Sequence, residues 1–129
     1  MSAIPALAGG RFLSPPPSVG VTVVATGDFD SNVCTLKMNP TSTDGEKQIT
    51  GQIITVTPGA ADDDLVLPPV AQCKGMVLYV VNSHASYNIE LKYGATAELV
   101  LANSDIANDE IALCMCDGTY WYAMVTTAT

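Results

Sequence analysis

From Gly20 onward, apolar and polar residues alternate with a period of two over short stretches separated by turn residues, the pattern of β-strands. Gly20 to Thr26 sets Val21, Val23 and Ala25 against Thr22, Val24 and Thr26. Asn32 to Met38 follows after the turn-rich Gly27-Asp28-Phe29-Asp30-Ser31, so the two stretches predict a hairpin. Asn39-Pro40 to Asp44-Gly45 reads as a polar loop, since Asn-Pro starts turns and Asp-Gly tolerates positive φ. A strand from Lys47 to Thr57 is expected beyond it, ended by Pro58-Gly59. Ala60-Ala61-Asp62-Asp63-Asp64 is expected to be a surface loop, and Leu65-Val66-Leu67 a short strand stopped by Pro68 and Pro69.

Met76 to Val81 is apolar at every position, which predicts a central strand buried on both faces. After the turn at 82–86, Tyr87, Ile89, Leu91 and Tyr93 alternate with Asn88, Glu90 and Lys92, a strand with one packed and one wet side. Glu98 to Leu101 and Asp109 to Cys116 are the next strands. In the latter, Ile111, Leu113 and Met115 share a face, and the small Ala112, Cys114 and Cys116 line the other, suggesting close packing between sheets. Asp117-Gly118 supplies the turn of a closing hairpin whose second strand is Thr119 to Thr126. No helical period is sustained, so the expected fold is all-β: an antiparallel β-sandwich, jelly-roll-like domain or small barrel.

Residues 1–19 differ in kind. Ser14-Pro15-Pro16-Pro17-Ser18 favours an extended conformation, and the large apolar groups are few, so this segment reads as an N-terminal arm rather than a core element, with a disordered terminus as the alternative. The β-domain then covers 20–129, with first strands in 20–57 and a second group in 62–126.

Composition narrows the function. Of the 129 residues, 48% are hydrophobic and only 14% charged, too few charges to cover a monomer of this size, so some apolar surface is expected to lie against another chain. A net charge of -8 with Arg11 as the only arginine argues against nucleic acid as a partner. No run reaches the roughly 20 apolar residues of a membrane-spanning helix, and the N-terminus lacks the pattern of a secretory signal, so cytosolic synthesis is expected. Cys34, Cys73, Cys114 and Cys116 are too sparse for a disulfide-stapled scaffold and are expected to be reduced and buried.

The order of motifs from residue 62 to 125 resembles a β-module of tailed-phage virion proteins, among them head fibres, capsid decoration or cement proteins and tail-fibre parts. The residues that carry the likeness are Leu67-Pro68, Gly75, Val80-Val81-Asn82-Ser83, Asn88-Ile89, Gly94 and Asp117-Gly118-Thr119-Tyr120-Trp121. The resemblance implies a homotrimer, with Met76, Leu78, Val80, Tyr120, Trp121 and Tyr122 packing the core or the trimer contact. It further implies a non-enzymatic structural protein without cofactors, made in the cytoplasm of a bacterial host and placed on the virion capsid surface. Residues 1–57 do not match the module and no long shaft is present, which favours a head decoration protein over a fibre. The partner would be the major capsid protein, contacted through Ile4, Leu7, Arg11, Phe12 and Leu13 of the arm. A fibre or receptor-binding module that contacts a host glycan is the second reading.

Candidate chemistry is thin. Cys114-Met115-Cys116 with Cys73, Cys34 and His84 lacks zinc-site spacing. His84, with Ser83 and Ser86 nearby, has no nucleophile-elbow signature for a hydrolase, and reads as an exposed or trimer-axis histidine. Asp62-Asp63-Asp64 lacks the spacing of a calcium loop. Tyr79, Tyr87, Tyr93, Tyr120, Trp121 and Tyr122 include candidates for a sugar platform, but alternate strand residues point to opposite faces, so they cannot all be at the surface.

Overall fold

A computed structural model describes residues 20–94, 98–99 and 105–127. Among these residues the strands are β1 (Val21–Val24), β2 (Val33–Lys37), β3 (Glu46–Gln48), β4 (Ile53–Val56), β5 (Asp63–Leu67), β6 (Val77–Asn82), β7 (Ile89–Tyr93), β8 (Glu98–Leu99), β9 (Asp105–Ile106), β10 (Glu110–Cys116) and β11 (Trp121–Thr127). Short 3-10 turns at Thr26–Asp28 and Val70–Gln72 complete the regular structure. The arm residues Ile4, Leu7, Arg11, Phe12 and Leu13 lie outside the described residues.

The strands form two sheets. Sheet one has the order β9-β7-β5-β2-β3, with β8 also paired to β7, and sheet two has the order β11-β10-β6-β4-β1. In sheet two, β1, β4 and β6 are parallel neighbours. In sheet one, β2, β5 and β7 are parallel neighbours as well, with β3 parallel on the outer side of β2. The chain therefore passes from one sheet to the other and back, and β4, β5, β6 and β7 are each laid parallel beside an earlier strand of their own sheet. Ile53 lies opposite Tyr79 in sheet two and Leu65 opposite Leu91 in sheet one, so this turn spans the same length of chain in both sheets. Antiparallel pairing comes only at the far end, where β10 joins β6, β11 joins β10, and β8 and β9 join β7.

The all-β expectation holds, but the sheets are mixed rather than antiparallel. The predicted hairpin between 20–26 and 32–38 is absent: β1 and β2 belong to different sheets and bury Val24 and Cys34 into the core from opposite sides. The single strand expected over Lys47 to Thr57 is broken into β3 and β4. At the break, Gly51 runs so close to Gly20 that an added Cβ would lie 2.2 Å from the Gly20 carbonyl carbon. Thr22, buried beside it, accepts hydrogen bonds from the Thr50 and Gly51 N–H groups at 2.8 and 2.9 Å and donates to the Gly51 carbonyl at 3.1 Å. That hydroxyl serves the backbone groups that the corner removes from any strand ladder.

Of the loop expected over 60–64, Ala61 and Asp62 form an exposed turn, but Asp63 and Asp64 belong to β5. Asp63 opens β5, is 1% exposed, and accepts hydrogen bonds from the N–H groups of Gly59 and Ala60 and from Asn32 Nδ2. Asn82, at the end of β6, works in the same way: its Nδ2 donates to the carbonyls of Tyr87 and Ile106, and its Oδ1 accepts the His84 N–H. Buried polar groups persist only where they are bonded, and these two tie the crossings to the ends of strands.

Inward residues of both sheets fill one apolar cluster, with Leu36, Leu65, Ile89 and Leu91 from sheet one and Ile54, Leu78, Val80 and Trp121 from sheet two. The small Ala112, Cys114, Cys116 and Ala123 line the inner side of β10 and β11, as their spacing predicts, and make room for Trp121. Its indole Nε1 donates to the Pro68 carbonyl at 2.8 Å.

Gly51→Ala is expected to destabilise the fold by about 2–4 kcal/mol, since backbone must move to admit the methyl group. Gly27→Ala, with no atom within 4 Å of the added Cβ, is expected to cost under about 0.5 kcal/mol. Urea denaturation midpoints of the two variants measure the difference.

Candidate functional site

The outward faces of the two sheets differ in chemistry. On sheet one, Asp64, Glu90 and Asp105 lie side by side on β5, β7 and β9. Lys92 reaches Asp64 at 3.1 Å and Glu90 at 3.9 Å, and Lys37 reaches Glu46 at 3.6 Å. This is a face built for water.

On sheet two, the register places Val21, Ile53, Tyr79, Leu113 and Met124 in one row across all five strands. A second row runs Val23, Thr55, Val81, Ile111 and Thr126, and a third joins Val77, Met115 and Tyr122. None of these outward side chains carries a charge. Of the nine large apolar side chains left exposed among the described residues, all but Tyr87 and Tyr120 lie on this face, with Met124 63% and Val23 58% exposed. Cross-strand neighbours of this kind stand close enough to form a continuous apolar surface.

The residues assigned to core or self-contact separate accordingly. Leu78, Val80 and Trp121 are buried within the chain, and Met76 packs partly against the core. Tyr120 and Tyr122 are exposed and meet edge to face at 6.3 Å between ring centres. The strand expected to be buried on both faces is buried on one: Leu78, Val80 and Asn82 point inward, while Tyr79 is 41% exposed. The alternation within β6 names this outward set, yet a strand apolar at both parities looks the same whichever parity faces the core. Partner strands had to be known before Val21, Ile53, Leu113 and Met124 could be joined to Tyr79.

The closing hairpin is present, but its turn falls one residue later than expected: Gly118, at φ 94°, is the first central residue and Thr119 the second, while Asp117 flanks the turn and bonds through its N–H to the Tyr120 carbonyl. The Asp117 carboxylate accepts the N–H groups of Tyr120 and Thr119, which hold its pKa below the ordinary range, and also accepts the Tyr122 hydroxyl at 3.2 Å. That hydrogen bond raises the tyrosine's own pKa.

His84 is held in a turn. Its Nδ1 accepts the backbone N–H groups of Ser86 and Tyr87 at 2.9 and 3.0 Å, and its ring stacks on Tyr87 at 4.3 Å. The neighbouring Ser83 hydroxyl is bonded to the Val56 carbonyl and to Thr57 Oγ1. The histidine is committed to its local turn, and Ser83 to the end of the neighbouring strand β4.

The four cysteines are free and buried. Burial pushes the thiols of Cys34, Cys73 and Cys114 up to about 12, and that of Cys116 upward too. Among the described residues, Asp62, Glu90 and Asp105 form the one group of carboxylates, thiols or histidines whose ligand atoms lie within 4.8 Å of one another. Asn88 Nδ2 donates to Asp62 and Asp105 at 2.6 Å each, placing N–H groups between carboxylates where a cation would have to sit. Three carboxylates also fall short of the six to eight oxygens of a calcium site. An open groove of about 610 Å³ runs between the outer edges of β1 and β3, lined by Val21 and Val23 on one side and by the polar loop 41–45 and β3 on the other.

Comparison of the chain with models of protein families, with curated proteins and with solved structures finds no match.

The thiols provide a test of the packed core. Unfolded cysteines titrate near 9.0 whereas three of the folded ones hold their protons to about 12, so the unfolded state loses protons first as the pH rises. The thiols' contribution to stability is then level below pH 9 and falls between 9 and 12. Maleimide labelling at pH 8 should modify these thiols only when the chain unfolds; rapid labelling of the folded protein would contradict their burial.

Proposed function

We propose that this chain is a structural virion protein, a capsid decoration or cement protein that binds the head of a tailed phage as a homotrimer and stabilises it. The observation that carries the reading is the uncharged, apolar outward face of sheet two in a molecule whose other sheet is charged. A chain of net charge -8 that leaves such a face open is suited to assembly with other protein rather than to catalysis. The motif order over residues 62–125 supplies the phage assignment.

Within this reading the two sheets are the layers of a β-sandwich whose parallel crossings replace the hairpins of a jelly roll. The arm, through Ile4, Leu7, Arg11, Phe12 and Leu13, contacts the major capsid protein. A trimer that grips several capsid subunits gains avidity, because each contact after the first is effectively intramolecular. The alternative, a fibre or receptor-binding module for a host glycan, draws on Tyr79 and Tyr122, which are exposed on one face.

Deleting residues 1–17 is expected to lower occupancy of phage heads at least about tenfold while the oligomer persists, as read by pull-down on purified heads. Undiminished occupancy would remove the arm from the account. Labelling of host cells by a protein that ignores heads would favour the glycan reading.

A further inference from the structure

We infer that the outward face of sheet two is where copies of this chain meet, each setting the row Val21, Ile53, Tyr79, Leu113 and Met124 against another copy. The inference rests on reading the chain as an assembly protein, and it names the surface and its occupant.

Size comes first. Five strands at about 4.8 Å and outward residues every ~6.8 Å give a face roughly 24 Å wide and about 20 Å long. Two such faces bury about 1,000 Å² together, where specific interfaces begin. Sheets stack face to face about 10 Å apart with side chains interdigitated, and the Met, Tyr, Leu and Ile of this face have the lengths for that.

Charge selects the occupant. The chain carries -8 overall, so two copies repel one another least when the surfaces that meet carry the fewest charges. The rows of sheet two offer such a face, with the Asp117 carboxylate at the hairpin end beside Tyr122, whereas sheet one has Asp64, Glu90 and Asp105 in line. A basic partner would be matched by a row of carboxylates, and that row stands on the opposite sheet. A sugar would need polar groups set among the aromatics. Apart from the tyrosine hydroxyls the three rows hold only Thr55 and Thr126, and the Tyr122 hydroxyl already donates to Asp117. A second copy presents the same uncharged rows and satisfies these constraints.

Sedimentation velocity of the full chain over about 1–100 μM tests this, beside the paired variant Tyr79→Lys/Met124→Lys and the control Gln48→Lys on sheet one. The wild type and the control should sediment as multiples of the 13.4 kDa chain. The paired variant should self-associate at least about 100-fold more weakly, because unpaired ammonium groups would be buried at the contact. Circular dichroism checks that each protein is folded, and Met124→Lys alone, at a position 63% exposed in the single chain, provides the same readout if the pair disturbs folding. A wild type that stays monomeric, or a folded variant that associates like the wild type, overturns the inference. So does glycan-array binding that only the face variant loses. Occupancy of phage heads is scored separately: a monomer that still binds heads sinks this inference and the homotrimer but leaves the role on the capsid standing, whereas an oligomer that ignores heads overturns that role and spares the inference.

Discussion

Parallel strands cannot be joined by a tight hairpin, and this constraint shapes the whole protein. β4 lies parallel to β1 and β6 parallel to β4, so the chain must leave the sheet after each strand and return at the same end. Helices would make the return in many proteins; here the opposite sheet does. Each crossing turns at a corner whose backbone groups lose their ladder partners. Thr22, Asp63 and Asn82 restore them from within, which is why these polar residues are buried in an otherwise apolar interior.

The same winding gives the molecule two unlike sides. Every strand of sheet two has one parity in the core and the other outside, and both parities are apolar along most of β6 and β10. Sheet one meets the same demand conventionally, with Asp64, Glu90 and Lys92 outside and Leu65, Ile89 and Leu91 inside. The proposed role in a capsid, and the proposed meeting of copies, both follow from that difference. The buried thiols, the turn-bound His84 and the Asn88-bridged carboxylates are accounted for by packing and local hydrogen bonding.

Strand positions were legible in the sequence because alternation and turn residues are local signals. β6, β7 and β10 fall where the pattern puts them, and the hairpin at Gly118 turns one residue later. Pairing was not legible, because neighbours such as Ile53 and Tyr79 are far apart in the chain and nothing local to either names the other. The expected hairpin after β1 failed for this reason, although Val33 to Lys37 is a strand. Asp63 misled because a run of three carboxylates reads as solvated, and its burial depends on N–H donors at Gly59 and Ala60 that only the folded turn directs at it. The apolar rows of sheet two were written into the sequence residue by residue, but their joining into one surface depends on register.

Oxidative footprinting of Met115 and Met124 in the assembled protein tests this account most directly. In the single chain these side chains are 47% and 63% exposed, open to oxidant. If the face is covered by other copies, both should oxidise far more slowly in the folded protein than in urea. Oxidation at the rate of the unfolded chain would mean that water, and not protein, covers sheet two.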